Sequence, residues 1–514
     1  MVIPSFLSYP FFPRRYNFVL REREMDWLSF SLYLILTWAL LEALLYSLGR
    51  GKKSSRSKQL PPGPKPFPVI GNLHQLGDKP HKSLAKLAQK HGPLMSLKLG
   101  QVTSIVISSA AMAKEVLQTH DHFFCNRTIP DSLRAHDHHT IGLPWLPVST
   151  MWRNLRKICN TQLFANKMLD SNENLRRRKL VSGQALDIGK AAFTTVLNLL
   201  SNTIFSIDLA DPNSEMARNF KEMVCNIMME AGKPNLGDCF PVLRKFDPNG
   251  RRRRMTKYFS KILDLNDRLI NQRMELRKLP GSAVKNDVLE TLLNIAEESS
   301  EVINKNDINH LLLVLFVAGS DTTSSTFQWA MAELLHNPEV LSKAQLELEQ
   351  VIGKGNPIEE SDIARLPYLQ SIVKETFRLH PAVPLLLPRK AGADVEIEGY
   401  TVTKGAQVLV NTWAIGRDTN LWDEPNSFKP ERFWGSEVDV RGRNFELIPF
   451  GGGRRICPGL PLAMRMLHLM LGSLIHLFDW KLPDGVTPKN MNMDDKVGLT
   501  LEMSQPLRAI PIPL

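Results

Sequence analysis

The sequence predicts a mainly α fold: a large helical lobe, a smaller β-rich lobe and a transmembrane helix near the amino terminus. Three observations carry this reading. An apolar run extends from Trp27 to Leu48, helical periodicity dominates beyond Val69, and strand-like alternation is confined to short pieces. The composition agrees. With 514 residues, 43% hydrophobic side chains and 64 Lys+Arg against 52 Asp+Glu, the chain is neither a disordered tail nor a disulfide-stapled miniprotein. At about 150 residues per domain the length allows about three domains, but large enzymes regularly form one catalytic body.

The segment WLSFSLYLILTWALLEALLYSL carries one charge, Glu42, and at about 1.5 Å per residue it spans a hydrocarbon core of about 30 Å. No small-residue cleavage site follows, so it reads as an anchor rather than a signal peptide. The flank GRGKKSSRSK is basic and is expected to stay cytosolic, leaving the rest of the chain on that side of the endoplasmic reticulum membrane in a single-pass arrangement. Residues 1–24 are an atypical extension, because Arg14, Arg15, Arg21 and Arg23 argue for the opposite orientation. Translation from Met25 would remove that conflict. The expected organisation is therefore an anchor at 25–48, a basic flank and hinge at 49–68 and a catalytic domain at 69–514. Pro61, Pro62, Pro64, Pro66 and Pro68 make the hinge a stiff spacer that cannot join a helix.

Almost half of the net charge of +12 sits within residues 1–60. The later runs Arg176–Lys179 and Arg251–Arg254 lack interleaved aromatics and read as solvated turns between helices, so no nucleic-acid partner is expected. Helical patterns cover 81–91, 111–119, 256–277, 307–336 and 459–478. Strand patterns cover Leu94 to Ser108, broken at Gly100, then Val395 to Val402 and Gln407 to Ala414.

The five cysteines lack the close spacing of a zinc knuckle or redox motif, which suits a reducing compartment. Cys125, Cys159, Cys225 and Cys239 read as small apolar fillers. Cys457 differs. It lies in FGGGRRICPGLPLAMRM (450–466), where three glycines let the backbone approach something bulky and a helix begins after Pro458 and Gly459. A helix amino terminus and nearby Arg455 favour a thiolate there; the competing reading is a buried structural cysteine.

Phe450, Gly453, Arg455, Cys457 and Gly459 reproduce the spacing F-x-x-G-x-R-x-C-x-G, which resembles the signature of the cytochromes P-450. The resemblance implies the cytochrome P-450 fold, with Cys457 as axial ligand to the iron of haem b. It also implies O2 and NADPH as co-substrates, the electrons arriving through a separate NADPH–cytochrome P-450 reductase. In that family the cysteine thiolate pushes electron density onto iron and favours O–O cleavage.

Other segments extend the likeness. Within 307–336 the run Ala318-Gly319-Ser320-Asp321-Thr322-Thr323 interrupts an apolar helix. By resemblance, Ala318 and Gly319 leave a groove over the haem, and Asp321 and Thr322 deliver protons to bound dioxygen. Glu375 and Arg378 stand at i,i+3 on one helix face, and with Arg432 they resemble the family's buried structural triad. Trp152 and Arg156, four apart, together with Arg127, Arg389 and Arg455 resemble the ligands of the haem propionates, for which guanidinium forks are suited. Arg153 and Lys157 would face the opposite side and dock an acidic reductase surface.

The likeness is greatest to the plant endoplasmic-reticulum class and, within it, to the geraniol hydroxylase group of monoterpenoid oxidases. KPHKSLAKLAQKHGPLMSLKLG, EAGKPNLGD and ELIPFGGGRRICPGLPLAMR carry it. It implies a small apolar substrate, most simply a monoterpenol, with diterpenoids and phenolics or flavonoids as alternatives. The pocket is expected from the loop Arg127 to Leu146, the helix segment Leu312 to Ser320 with Phe316 and Ala318, residues Ala382 to Leu387 with Leu385, Leu386 and Leu387, and the turn near Leu499 to Leu501. Similar proteins have about three more helical turns between residues 175–180 and 181–189, so either a helix is shortened there or the gene model is imperfect. His136, His138 and His139 lack a matching ligand set for zinc, and the sequon at Asn126 would not meet its transferase on a cytosolic face. A noncatalytic haem- or lipid-binding membrane protein and a haem-thiolate isomerase are both disfavoured by the Asp321–Thr322 pair.

Overall fold

A computed structural model describes residues 29–38, 40, 59–164, 186–209, 215–280, 285 and 287–514. The extension 1–24, most of the anchor, the basic flank, the Arg176–Lys179 run and the stretch 175–185 lie outside them. The central element is the helix Lys305–His336. Asn304 caps it: its side chain accepts from the Asp307 amide, and the Asp307 carboxylate accepts from the Asn304 amide. Most of its circumference is buried, because Ile188–Phe205, Arg251–Arg277, Pro367–Leu379 and Leu460–Leu477 all pack on it. A Cβ at Gly319 would come 3.0 Å from Leu200, so this glycine allows the helix Ile188–Phe205 to approach closely.

Leu460–Leu477 is, among the described residues, the helix long and apolar enough to cross a membrane, but 56% of it is buried inside the body. It is a core helix. The anchor pattern is represented by the shorter apolar helix Ser29–Trp38, whose Phe30, Tyr33, Ile35 and Trp38 are exposed.

The β-rich lobe is built on a sheet ordered Leu94–Leu99, Val102–Ile107, Gln407–Val410, Arg389–Lys390, Asn126–Arg127. The first two strands form a hairpin through Gly100, whose φ of 60° is left-handed. Val102–Ile107 then pairs in parallel with Gln407–Val410, which needs a long crossover and ties two distant segments of the chain together. At the far edge Arg127 stands opposite Arg389. The proline hinge is not a free spacer. The Pro62 carbonyl accepts from the Ser96 amide at 2.8 Å and the Pro61 carbonyl from the Ser96 hydroxyl at 2.6 Å, which pins it to the first strand.

Four expectations are corrected. Val395 to Val402 is a hairpin of two short strands with Glu398 and Gly399 at positive φ. The strand from Gln407 stops at Val410, because Asn411 turns the chain and caps a helical turn, Thr412–Ile415. The 111–119 pattern ends its helix at Lys114 and continues as a wider turn in which the His120 amide donates to the Glu115 carbonyl. Arg251–Arg254 is the first turn of a helix, not a loop, and its cations pair with Glu230, Asp131 and Asp247.

Candidate active site

Between the lobes lies a cavity of about 320 Å³. One wall is the loop before Leu460–Leu477. The Cys457 amide donates to the Phe450 carbonyl at 3.0 Å, and Gly451 and Gly453 turn the chain at φ of 73° and 65°. A side chain at Gly453 would put Cβ 2.0 Å from the Leu117 carbonyl oxygen, so the close packing of this loop demands glycine. Cys457 is exposed, and it is the cavity that it lines. Burial raises its pKa above the ordinary thiol value, outweighing the Gly459 and Leu460 amides and Arg156, which act in the opposite sense. The donors expected at a helix start are therefore present, but in the protein alone burial wins. A cation in the cavity, such as an iron centre, would reverse that balance.

Beside the thiol sits a set of guanidiniums with few counter-charges. Arg455 donates to the carbonyls of Cys125 at 2.7 Å, Leu143 at 3.3 Å and Leu146, and lies 4.7 Å from the Trp152 ring centre. Arg389 binds Asp121 at 3.2 Å and the Gly452 carbonyl at 3.0 Å. Arg127 donates to the Leu387 carbonyl at 2.6 Å, but its Nε is buried with no partner. Burial and then the neighbouring Arg389 and Arg455 lower the Arg127 pKa well below its usual value. Arg156 also lines the cavity, and burial lowers its pKa too. An orphaned N–H among under-neutralised cations, next to an open thiol, is what a carboxylate-bearing, sulfur-ligated group would complete. These residues fit haem b.

The opposite wall is the central helix. Thr322 faces the cavity and donates to the Ala318 carbonyl at 2.6 Å. Asp321 turns away from it. Its carboxylate accepts from the Thr500 hydroxyl, and Glu502, Lys496, Lys221 and Cys225 face the same spot. Burial first, then Glu502, raises its pKa to about 7, so it holds a proton near neutrality. Cys225, Asp321 and Glu502 bring ligand-type atoms within 4.8 Å of one another. Their charge is already answered, however, by the Lys496–Glu502 pair at 2.9 Å and the Thr500 hydroxyl.

The apolar wall includes Leu133, Trp145, Met228, Val317, Ala318, Leu386, Leu387 and Leu499. Four expected wall residues are corrected. Leu312 and Phe316 lie on another face of the helix, Phe316 stacking on Phe205 at 5.5 Å. Leu385 packs instead against the small core with Leu84 and Met95. Leu501 is buried behind the wall, where its carbonyl accepts from Ser325 and Trp329, and Leu499 takes the wall position. Phe450 does line the cavity and packs edge-on against Phe377.

The triad ties the helix Pro367–Leu379 to the segment from Gly416 to Arg432. Arg378 grips Glu375 with two bonds of 2.7 Å, and Arg432 reaches the same carboxylate at 3.1 Å. Arg378 also donates to the carbonyls of Gly416, Pro425 and Ser427. The three histidines of HDHH diverge: His136 binds Thr256 and Ser260, His138 meets His310, and His139 meets Arg134. Thr500, Glu502, His310 and Asp121 were not legible as site residues, because each stands alone in an unrelated stretch.

An apolar chamber bordered on one side by a thiol and buried arginines suits a planar dianionic macrocycle held by sulfur, the arrangement of the haem-thiolate proteins. Residues 61–506 match the family Cytochrome P450, and the chain belongs to that family. Membership makes it a monooxygenase-class oxidoreductase that uses haem b, O2 and NADPH-derived electrons passed on by a reductase. A protein of Catharanthus roseus named geraniol 8-hydroxylase is 56% identical over 498 residues, covering 95% of this chain and 99% of the relative. Its namesake in Swertia mussotii is 55% identical over 502 residues, covering 96% and 100%. A drimenol monooxygenase of Persicaria hydropiper is 52% identical over 492 residues, covering 93% and 97%.

Proposed function

We propose that this enzyme hydroxylates a small apolar plant metabolite, a monoterpenol of the geraniol type, at an allylic methyl. The observation that carries the reading is the apolar cavity of about 320 Å³ with Thr322 on one wall and Cys457 on another. The names of two relatives at 56% and 55% identity support the substrate class. Cys457 is assigned as the iron ligand, and Arg127, Trp152, Arg156, Arg389 and Arg455 as the residues that hold the propionates, with Phe450 beside them. When bound, haem supplies oxygen activation and hydrogen abstraction.

The chain's own residues do the rest. Leu386, Ala318 and Leu499 hold the ligand by shape and exclude water. Asp321, protonated near neutrality and joined to Thr500, is the acid held behind the wall, and Thr322 is the hydroxyl that can present a proton to the cavity. Glu375, Arg378 and Arg432 tie the helix Pro367–Leu379 to the segment from Gly416 to Arg432. Exposed Arg153 and Lys157 dock the reductase.

Residues 25–48 are assigned as a single-pass anchor in the endoplasmic reticulum membrane, 49–68 as hinge and 69–514 as the cytosolic catalytic domain. Exposed Phe67, Ile70, Val242 and Phe246 support contact with a lipid surface, since the Ile70 and Cys239 carbonyls bind the adjoining amides of Gly100 and Gln101. The test is NADPH-dependent product formation in vesicles with added reductase, using monoterpenols, diterpenoids and flavonoids. One hydroxylated monoterpenol formed with the highest kcat/KM is expected. Preferential turnover of a diterpenoid or flavonoid, or no NADPH-dependent product from any of them, would overturn the reading.

A further inference from the structure

Among the described residues the cavity wall carries one imidazole, and none of these roles uses it. His138 is 3% exposed and lines the cavity, its ring set edge-on to Phe259 with centroids 5.0 Å apart. Its Nδ1 lies 2.9 Å from the Nδ1 of His310, and the two rings stack at an interplanar angle of 24°. The backbone bends to place it there. His136 and Asp137 both adopt left-handed φ, 50° and 51°, which non-glycine residues avoid. His136 is held in that turn by the Thr256 carbonyl and the Ser260 hydroxyl. Any side chain at residue 142 would meet the His138 ring, since a Cβ on Gly142 would lie 2.6 Å from it. Strain, a reserved glycine and a second histidine thus all fix one imidazole.

A hydrogen bond between two Nδ1 atoms requires that one carry the proton and the other not. Burial lowers the pKa of both rings, His138 to about 3, so both are neutral and one proton is shared between them. The nitrogen left for a ligand is His138 Nε2, an acceptor in one arrangement and a donor in the other. A hydroxyl can match either arrangement. An ether can match only one, and a hydrocarbon neither. His310 also precedes Thr322 by twelve residues on the central helix, about 18 Å along its axis. A hydroxyl held beside His310 therefore leaves the other end of a small ligand toward the Thr322–Cys457 end.

We propose that His138, oriented by His310, is the specificity-determining residue that binds the substrate's hydroxyl through Nε2 and turns its apolar end toward Thr322 and Cys457. The inference rests on the reading that the substrate is an alcohol. The holoenzyme is titrated with geraniol, its methyl ether and the matched hydrocarbon, and dissociation constants are read by calorimetry. Wild type is expected to favour the alcohol over the ether about tenfold, the scale of one buried neutral hydrogen bond. His138→Phe, which keeps an aromatic ring against Phe259, should reduce that preference to within about twofold, with hydrocarbon affinity unchanged. His138→Gln should fall between, and it decides the matter if His138→Phe does not fold. His310→Gln, outside the wall, should weaken the alcohol preference without moving hydrocarbon affinity. A wild-type preference preserved in His138→Phe, or in His138→Gln where only that variant folds, overturns the proposal, as does a wild type with no preference for any hydroxyl. Phenols and their methyl ethers separate the two readings. If phenols alone show a His138-dependent preference, the monoterpenol reading falls and the role of His138 stands; if terpenols turn over and bind independently of His138, the reverse holds.

Discussion

The substitution Asp321→Asn should flatten the alkaline decline in stability. In the fold this carboxyl titrates at about 7, against 3.8 for the ordinary group, because it is buried beside Glu502. Since the folded value is raised, the protonated acid is favoured by folding. Its contribution is complete below about pH 4 and is lost as pH rises through 7. The full difference corresponds to about 4 kcal/mol, of which about 1 to 2 kcal/mol is lost between pH 6 and 9. The groups facing it do not cancel this. Cys225, pushed up to about 12, stays protonated throughout, and Lys496, held above its ordinary range, stays charged. The substituted amide cannot ionise, and its oxygen can still accept from Thr500. Urea unfolding of both proteins at pH 6, 7.5 and 9 measures the difference. The variant should gain on wild type by about 1 to 2 kcal/mol between the first and last pH. Parallel stability curves would show that Asp321 is ionised in the fold and would remove it as a proton source near neutrality.

The other predictions concern neighbouring residues. Glu375→Gln leaves Arg378 and Arg432 buried without their shared anion and should cost about 3 to 5 kcal/mol, read as a lower denaturant midpoint; a loss below about 1 kcal/mol would refute the tie. Thr322→Ala should keep haem and ligand binding while product per NADPH falls and hydrogen peroxide rises, and unchanged yield would remove Thr322 from proton delivery. Cys457→Ala should abolish the thiolate-type carbon monoxide difference spectrum, whose persistence would mean that another residue binds iron.

Where the pattern is local and closely spaced, the sequence was sufficient. The turn from Phe450 to Gly459 needs glycine at fixed offsets, and Glu375 and Arg378 share a helix face because they are three apart, so both were readable without a fold. The arginines beside the thiol could be named only by likeness. Arg127 and Arg389 stand side by side because two sheet-edge strands from distant parts of the chain pair. The central helix shows the limit most plainly. It is buried on nearly every side, so its apolar pattern cannot say which face meets the cavity, and Leu312 and Phe316 were assigned to the wrong one. Successive helical residues differ by about 100° around the axis. Adjacent Asp321 and Thr322 therefore point to different places, one toward Thr500 and one into the cavity. The sequence by itself determined the glycine turn around Cys457 and the shared face of Glu375 and Arg378, since these depend on short-range spacing, and by likeness it implied the class of chemistry. Only the tertiary structure decided which side chains form the wall, where Asp321 finds its hydrogen-bond partner and why His138 faces a ligand, since each depends on segments that become neighbours only when the core closes.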